Sequence, residues 1–187
     1  MSIGKNAIAI VAALFTTYAA AAQVFVIGGG LGGDCYHQTQ MKYASFNQAD
    51  RVCTRAIREE VMTRDNRAAT YVNRGVLRMR HGKYDSAIAD YAKAVKIKPN
   101  LGAAYLNEGA ARIYQKDFAS AIAPLDRAIE LESTDIFAAY YNRAIARENT
   151  GDVPGAYDDF RKALELKPGW DLAESQLSRF AVQPAEG

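Results

Sequence analysis

The sequence predicts an all-α chain, a solenoid of stacked antiparallel helix pairs. Three observations predict it. A unit of 34 residues recurs at 68–101, 102–135 and 137–170, with Ile136 as a one-residue insertion between the last two. Small residues recur at fixed offsets inside each unit, where closely crossing helices leave no room for more. Pro99 and Pro168 stand where helices should end, because the residue before proline avoids helical dihedrals.

Each unit is justified by the same positions. The fourth is Tyr71, Tyr105 and Tyr140; the eighth is Gly75, Gly109 and Ala144. A turn follows at Gly82-Lys83-Tyr84, Lys116-Asp117-Phe118 and Gly151-Asp152-Val153. The twentieth is Ala87, Ala121 and Ala156, and the twenty-fourth Tyr91, Leu125 and Phe160. Ala94, Ala128 and Ala163 come next, then Pro99, Ser133 and Pro168. Small residues mark the crossings and aromatics fill the remaining gaps. One unit cannot bury its apolar face alone, so the units must stack. Asp152 followed by Pro154 reads as a helix start. Pro124 is a departure: inside a helix it removes a hydrogen bond and crowds the carbonyl of Ser120.

These residues resemble the tetratricopeptide repeat, whose pattern runs from an aromatic through a small residue and A-x3-F to proline over 34 residues. The chain is identified as an exported bacterial protein of this kind. The resemblance implies a right-handed α-solenoid with helix A of each unit lining a concave groove. Its inward positions are Val72, Asn73, Val76, Met79 and Arg80 in the first unit. They are Leu106, Asn107, Ala110, Ile113 and Tyr114 in the second, and Tyr141, Asn142 and Ile145 in the third. Asn amides there could bond the backbone of an extended peptide. Some family members clamp a terminal carboxylate with Lys at the fifth position and Asn at the ninth of the first unit. Val72 and Val76 stand there instead, although Asn107 and Arg143 could still hold an acid.

The flanks are read by the same logic. Residues 35–67 form a degenerate helical hairpin: Phe46, Ala49, Cys53 and Ala56 take the places of Tyr84, Ala87, Tyr91 and Ala94. The helix before them is expected at about Cys35–Tyr43. Residues 171–181 form a capping helix with Leu172, Leu177 and Phe180 toward the last unit, and 182–187 a polar tail.

Residues 1–22 read as a signal peptide. Lys5 precedes the apolar run Ala7–Phe15, and Ala20 and Ala22 make an A-x-A site before Gln23. A retained anchor is the alternative. The expected location is therefore exported, in a bacterial periplasm. An oxidising compartment favours pairing of the only two cysteines, Cys35 and Cys53. A disulfide would tie the hairpin and stabilise it by about 3 kcal/mol; free buried thiols are the alternative. Zinc is disfavoured, since with His37 there are three ligands at most.

The stretch "VFVIGGGLGGDC" carries G-x-G-x-x-G at Gly28, Gly30 and Gly33. That fingerprint needs a strand before it and a parallel sheet around it, which a helical solenoid lacks. Residues 23–34 are instead expected as a flexible, Gly-rich mature N-terminus. His37 and His81 lack a nucleophile setting, and His81 suits a helix C-terminus. Glu59-Glu60 and Asp158-Asp159 are adjacent on helices and expected to be solvated. Formal charge is +2 over 187 residues, too little to argue for nucleic acid. No enzyme, cofactor or metal is expected. The function predicted is a protein- or peptide-binding scaffold. A structural subunit with its groove occupied is the alternative, and a nucleotide enzyme the remote one.

Overall fold

The computed structural model describes residues 19–22, 24, 26, 30–41 and 45–180. Among them are α1 (Leu31–Gln40), α2 (Phe46–Glu59), α3 (Arg64–Arg80), α4 (Tyr84–Ile97) and α5 (Gly102–Tyr114). They continue with α6 (Phe118–Glu130), α7 (Ile136–Asn149), α8 (Val153–Leu166) and α9 (Asp171–Leu177), closed by a 3-10 turn at Ser178–Phe180. No strand occurs among the described residues, and none of their helices is long and apolar enough to cross a membrane. The architecture is an all-α solenoid. Each helix packs on its chain neighbour, and α5 also touches α3 and α7. The odd-numbered helices therefore form one row, and the even-numbered ones back it.

Local chemistry explains the pairs. Thr63, Asp117 and Asp152 accept the amides of Asn66, Ser120 and Gly155, which caps α3, α6 and α8. His81 caps α3 at the other end with its ring Nδ1 2.8 Å from the Leu77 carbonyl. Inside a pair, Gly75 meets Tyr91 and Gly109 meets Leu125 so closely that a Cβ on either glycine would overlap its partner. Tyr91, Leu125 and Phe160 are fully buried.

The structure departs from expectation in four places. α1 starts at Leu31, inside the stretch expected to be flexible, and ends at Gln40. The reason is Glu60, expected to be solvated: its Oε2 accepts the Gly32 amide at 2.6 Å. A Cβ on Gly30, which has φ 92°, would lie 2.6 Å from the same carboxylate. These glycines are thus a close-packed helix start. In the capping helix Ala173 and Gln176 are the buried residues, and Leu172 is exposed. Asp159, the fourth departure, is buried and bound to two arginines. α6 runs unbroken through Pro124.

Cys35 and Cys53 are joined by a disulfide that ties α1 to α2, with Cα atoms 4.6 Å apart. Both sulfurs are fully enclosed in a small cluster with Ala49 and Leu77. The hairpin is fastened to the repeats by Arg67 on the Ile57 carbonyl (2.8 Å) and Arg80 on the Thr39 carbonyl (2.6 Å).

Candidate functional site

The sixth position of each unit places one asparagine on each of α3, α5 and α7. Asn73, Asn107 and Asn142 are fully buried, and a buried amide left unpaired costs about 1–3 kcal/mol. All three are paired, and with one continuous partner: the chain's own N-terminal segment. The Ala20 amide donates to Asn142 Oδ1 (3.0 Å), and Asn142 Nδ2 donates to the Ala20 carbonyl (2.8 Å). Ala22 makes the same pair with Asn107, at 2.8 and 2.5 Å. Val24 makes it with Asn73, at 3.1 and 2.7 Å. The Tyr114 hydroxyl donates to the Ala19 carbonyl at 3.1 Å.

The arrangement is a ladder, one rung per repeat and two residues of ligand per rung. Two residues of extended chain rise about 6.7 Å, less than the 8–10 Å between packed helix axes. The amide tips must therefore converge, as on the inner side of a curved stack. Each rung reads an N–H and a C=O of one residue, groups every residue except proline possesses. The ladder itself is sequence-independent; side-chain selection falls to the floor beneath it. Ala19 and Ala22 are buried in one apolar cluster with Val72, Val76, Leu106, Ala110, Ile113, Tyr141 and Ile145. Ala20 and Val24 are half-buried, Val26 is buried and Ala21 is exposed. Burial raises the pKa of Tyr141 above the usual phenol value, so it stays a neutral wall.

Of the inward positions read from the sequence, the three asparagines and Tyr114 bond the segment. The seven apolar residues just named share its core. Met79 is buried and receives the Tyr91 hydroxyl at 3.9 Å from its sulfur. Arg80 turns instead to α1. The idea that Asn107 and Arg143 could hold an acid is corrected. Asn107 is on Ala22, and Arg143 faces away from the groove onto Asp159 and Asp126, each at 2.7 Å. The segment as occupant was missed. Its signal was present, since Ala19–Ala22 and Val24 are small or β-branched, but the same letters read as a peptidase site. The apolar run Ala7–Phe15 lies outside the described residues.

Residues 68–101 and 137–170 each match a family model described as the tetratricopeptide repeat. No curated protein matches the chain in sequence. The second TPR domain of human RPAP3, solved with the HSP70 peptide SGPTIEEVD, is 26% identical with TM-score 0.56. The match covers 60% of this chain and 93% of that one. The first TPR of Spaghetti (RPAP3), bound to the HSP90 peptide SRMEEVD, is 28% identical with TM-score 0.59, covering 62% and 90%. MamA from Desulfovibrio magneticus RS-1 is 20% identical with TM-score 0.66, covering 80% and 82%, a likeness of fold. Family models on two repeats, together with these folds, make this chain an all-α solenoid of tetratricopeptide repeats.

Proposed function

We propose that the chain is a non-catalytic scaffold whose groove binds a protein partner through an extended segment, in an exported compartment. The observation that carries this is the asparagine ladder: three buried amides, each pairing both backbone groups of alternate residues in an extended chain. The two RPAP3 domains, solved with HSP70 and HSP90 peptides, support peptide binding in this fold. Their peptides end in acids. Here Val72 and Val76 form the floor of the first repeat, and the segment in the groove is alanine-rich, so the partner is an apolar segment. The disulfide and the charged, apolar and A-x-A order of residues 1–22 support export.

The test is photo-crosslinking from position 103, beside the ladder on α5, in the native compartment. Partner adducts should disappear in the Asn107→Ala, Asn142→Ala variant. Adducts unchanged by both substitutions would rule the groove out. Intact mass of the exported pool tests the compartment: a mature chain beginning at Met1 counts against cleavage after Ala22.

A further inference from the structure

A groove that serves a partner must be open to it, and here it is filled. Asn107 and Asn142 each spend one N–H and one oxygen lone pair on the backbone N–H and C=O of a single residue of the segment, and that residue covers the amide. Ala22 keeps only 3% of its surface exposed, so nothing can be layered under it. An external segment can reach Asn107 and Asn142 only after residues 19–22 leave.

The segment carries its own means of leaving. Ala20 and Ala22, which occupy Asn142 and Asn107, are also the A-x-A pair that precedes Gln23. Cutting after Ala22 removes the backbone groups paired with Asn142 and Asn107 and the carbonyl that accepts the Tyr114 hydroxyl, and leaves Val24 on Asn73. Two of the three rungs would then hold buried amides with water as their only partner.

We propose that Ala19–Ala22 with Val24 and Val26 are an internal ligand that closes the groove. Release of the chain up to Ala22 opens it to an extended segment with small apolar residues at every second position. This rests on the groove reading above. The ligand chemistry follows from the internal ligand. The rungs are neutral and read backbone, the floor is aliphatic and aromatic, and Ala22 is buried in it. Direction follows too: Ala20 lies on the third repeat and Val24 on the first, so the bound segment runs from α7 toward α3. A tethered competitor acts at an effective concentration of order millimolar, so closure should weaken external binding at least tenfold.

The experiment uses the full, oxidised chain. Ala20→Pro with Ala22→Pro deletes the amides that donate to Asn142 and Asn107 and leaves α1 to α9 untouched. The probe is a fluorescent synthetic peptide of residues 19–26 with a lysine tail, read by anisotropy. The proline variant should bind it at least tenfold tighter than the parent, and adding Asn107→Ala should remove the gain. Equal affinity in both overturns closure while leaving the groove as a binding site. No binding by either, with helical circular dichroism intact, overturns closure and the groove reading together. A parent whose groove is filled by a second copy would form a concentration-dependent dimer, which also overturns closure within one chain. Hydrogen exchange on the unaltered chain needs no variant. The Ala20 and Ala22 amides should exchange at least tenfold more slowly than in the free peptide, and free-peptide rates overturn the proposal.

Discussion

The second repeat is closed differently from the first and third. In those two, the seventh position is arginine and the twenty-third aspartate, and the pair is bidentate. Arg74 reaches Asp90 at 2.9 and 2.7 Å, and Arg143 reaches Asp159 at 2.8 and 2.7 Å. A second arginine four residues on joins each aspartate: Arg78 and Arg147, both at 2.9 Å. The first arginines also reach back, Arg74 to Thr54 and Arg143 to Asp126. In the second repeat the two positions are Glu108 and Pro124. Arg112 therefore turns to its own helix, onto Glu108 at 2.8 Å, and to Asp117 at 3.5 Å. An arginine at 108 would face a proline, and an aspartate at 124 would face a glutamate, so each alternative works only as a pair. The turn differs as well: Gly82 and Gly151 hold positive φ in the outer repeats, and Lys116 holds φ 62° in the middle one. One backbone plan thus tolerates two electrostatic solutions, and breaking them should differ in cost.

Asp159→Ala gives the largest expected effect. It takes the bidentate partner from Arg143 and leaves it Asp126 alone; burial opposes the charge of Arg143, and Asp159 and Asp126 together hold its pKa above the ordinary value. A loss of about 3–5 kcal/mol in urea unfolding is expected. Glu108→Ala should cost under about 0.5 kcal/mol, as a local pair. Equal losses would erase the distinction. Pro124→Ala comes next, restoring a helix amide and raising stability by about 2–3 kcal/mol in calorimetry. No gain would mean that α6 has already absorbed the proline. Gly109→Ala, forced against Leu125, should lose about 1–3 kcal/mol, with a lowered urea midpoint at unchanged slope. The third repeat already carries Ala144 at this position, so a neutral Gly109→Ala would show that the middle pair can spread as freely. Smallest is Lys116→Gly, which relieves a left-handed residue and should gain up to about 1 kcal/mol. A drop in melting temperature would contradict it.

Much of this was legible in the residues. Tyr71, Gly75, Ala87 and Tyr91 mark a helix pair because their offsets follow the helical period, and the same offsets return twice. The three asparagines were legible as groove positions. Asp159 was not legible as a buried anion: its adjacency to Asp158 says only that the two face different ways, and not which one faces Arg143. Leu172 was misplaced for a related reason. A seven-residue helix has too few turns to define its face, and Ala173 and Gln176 took the buried side. Glu60 was read as solvated because its partner, the Gly32 amide, lies 28 residues away.

Helix pairs, their order and their stacking follow from the residues alone, because they depend on small and large side chains at offsets within 34 positions. The residues also put an asparagine on the first helix of each 34-residue unit. What those asparagines hold depends on long-range packing. Ala22 and Asn107 are 85 residues apart, and Ala20 and Asn142 are 122 apart. No local period links them. A run of small residues suits a peptidase and a narrow groove equally, and only the core cluster that Ala22 shares with Leu106, Ala110 and Tyr141 shows that it also fills the groove.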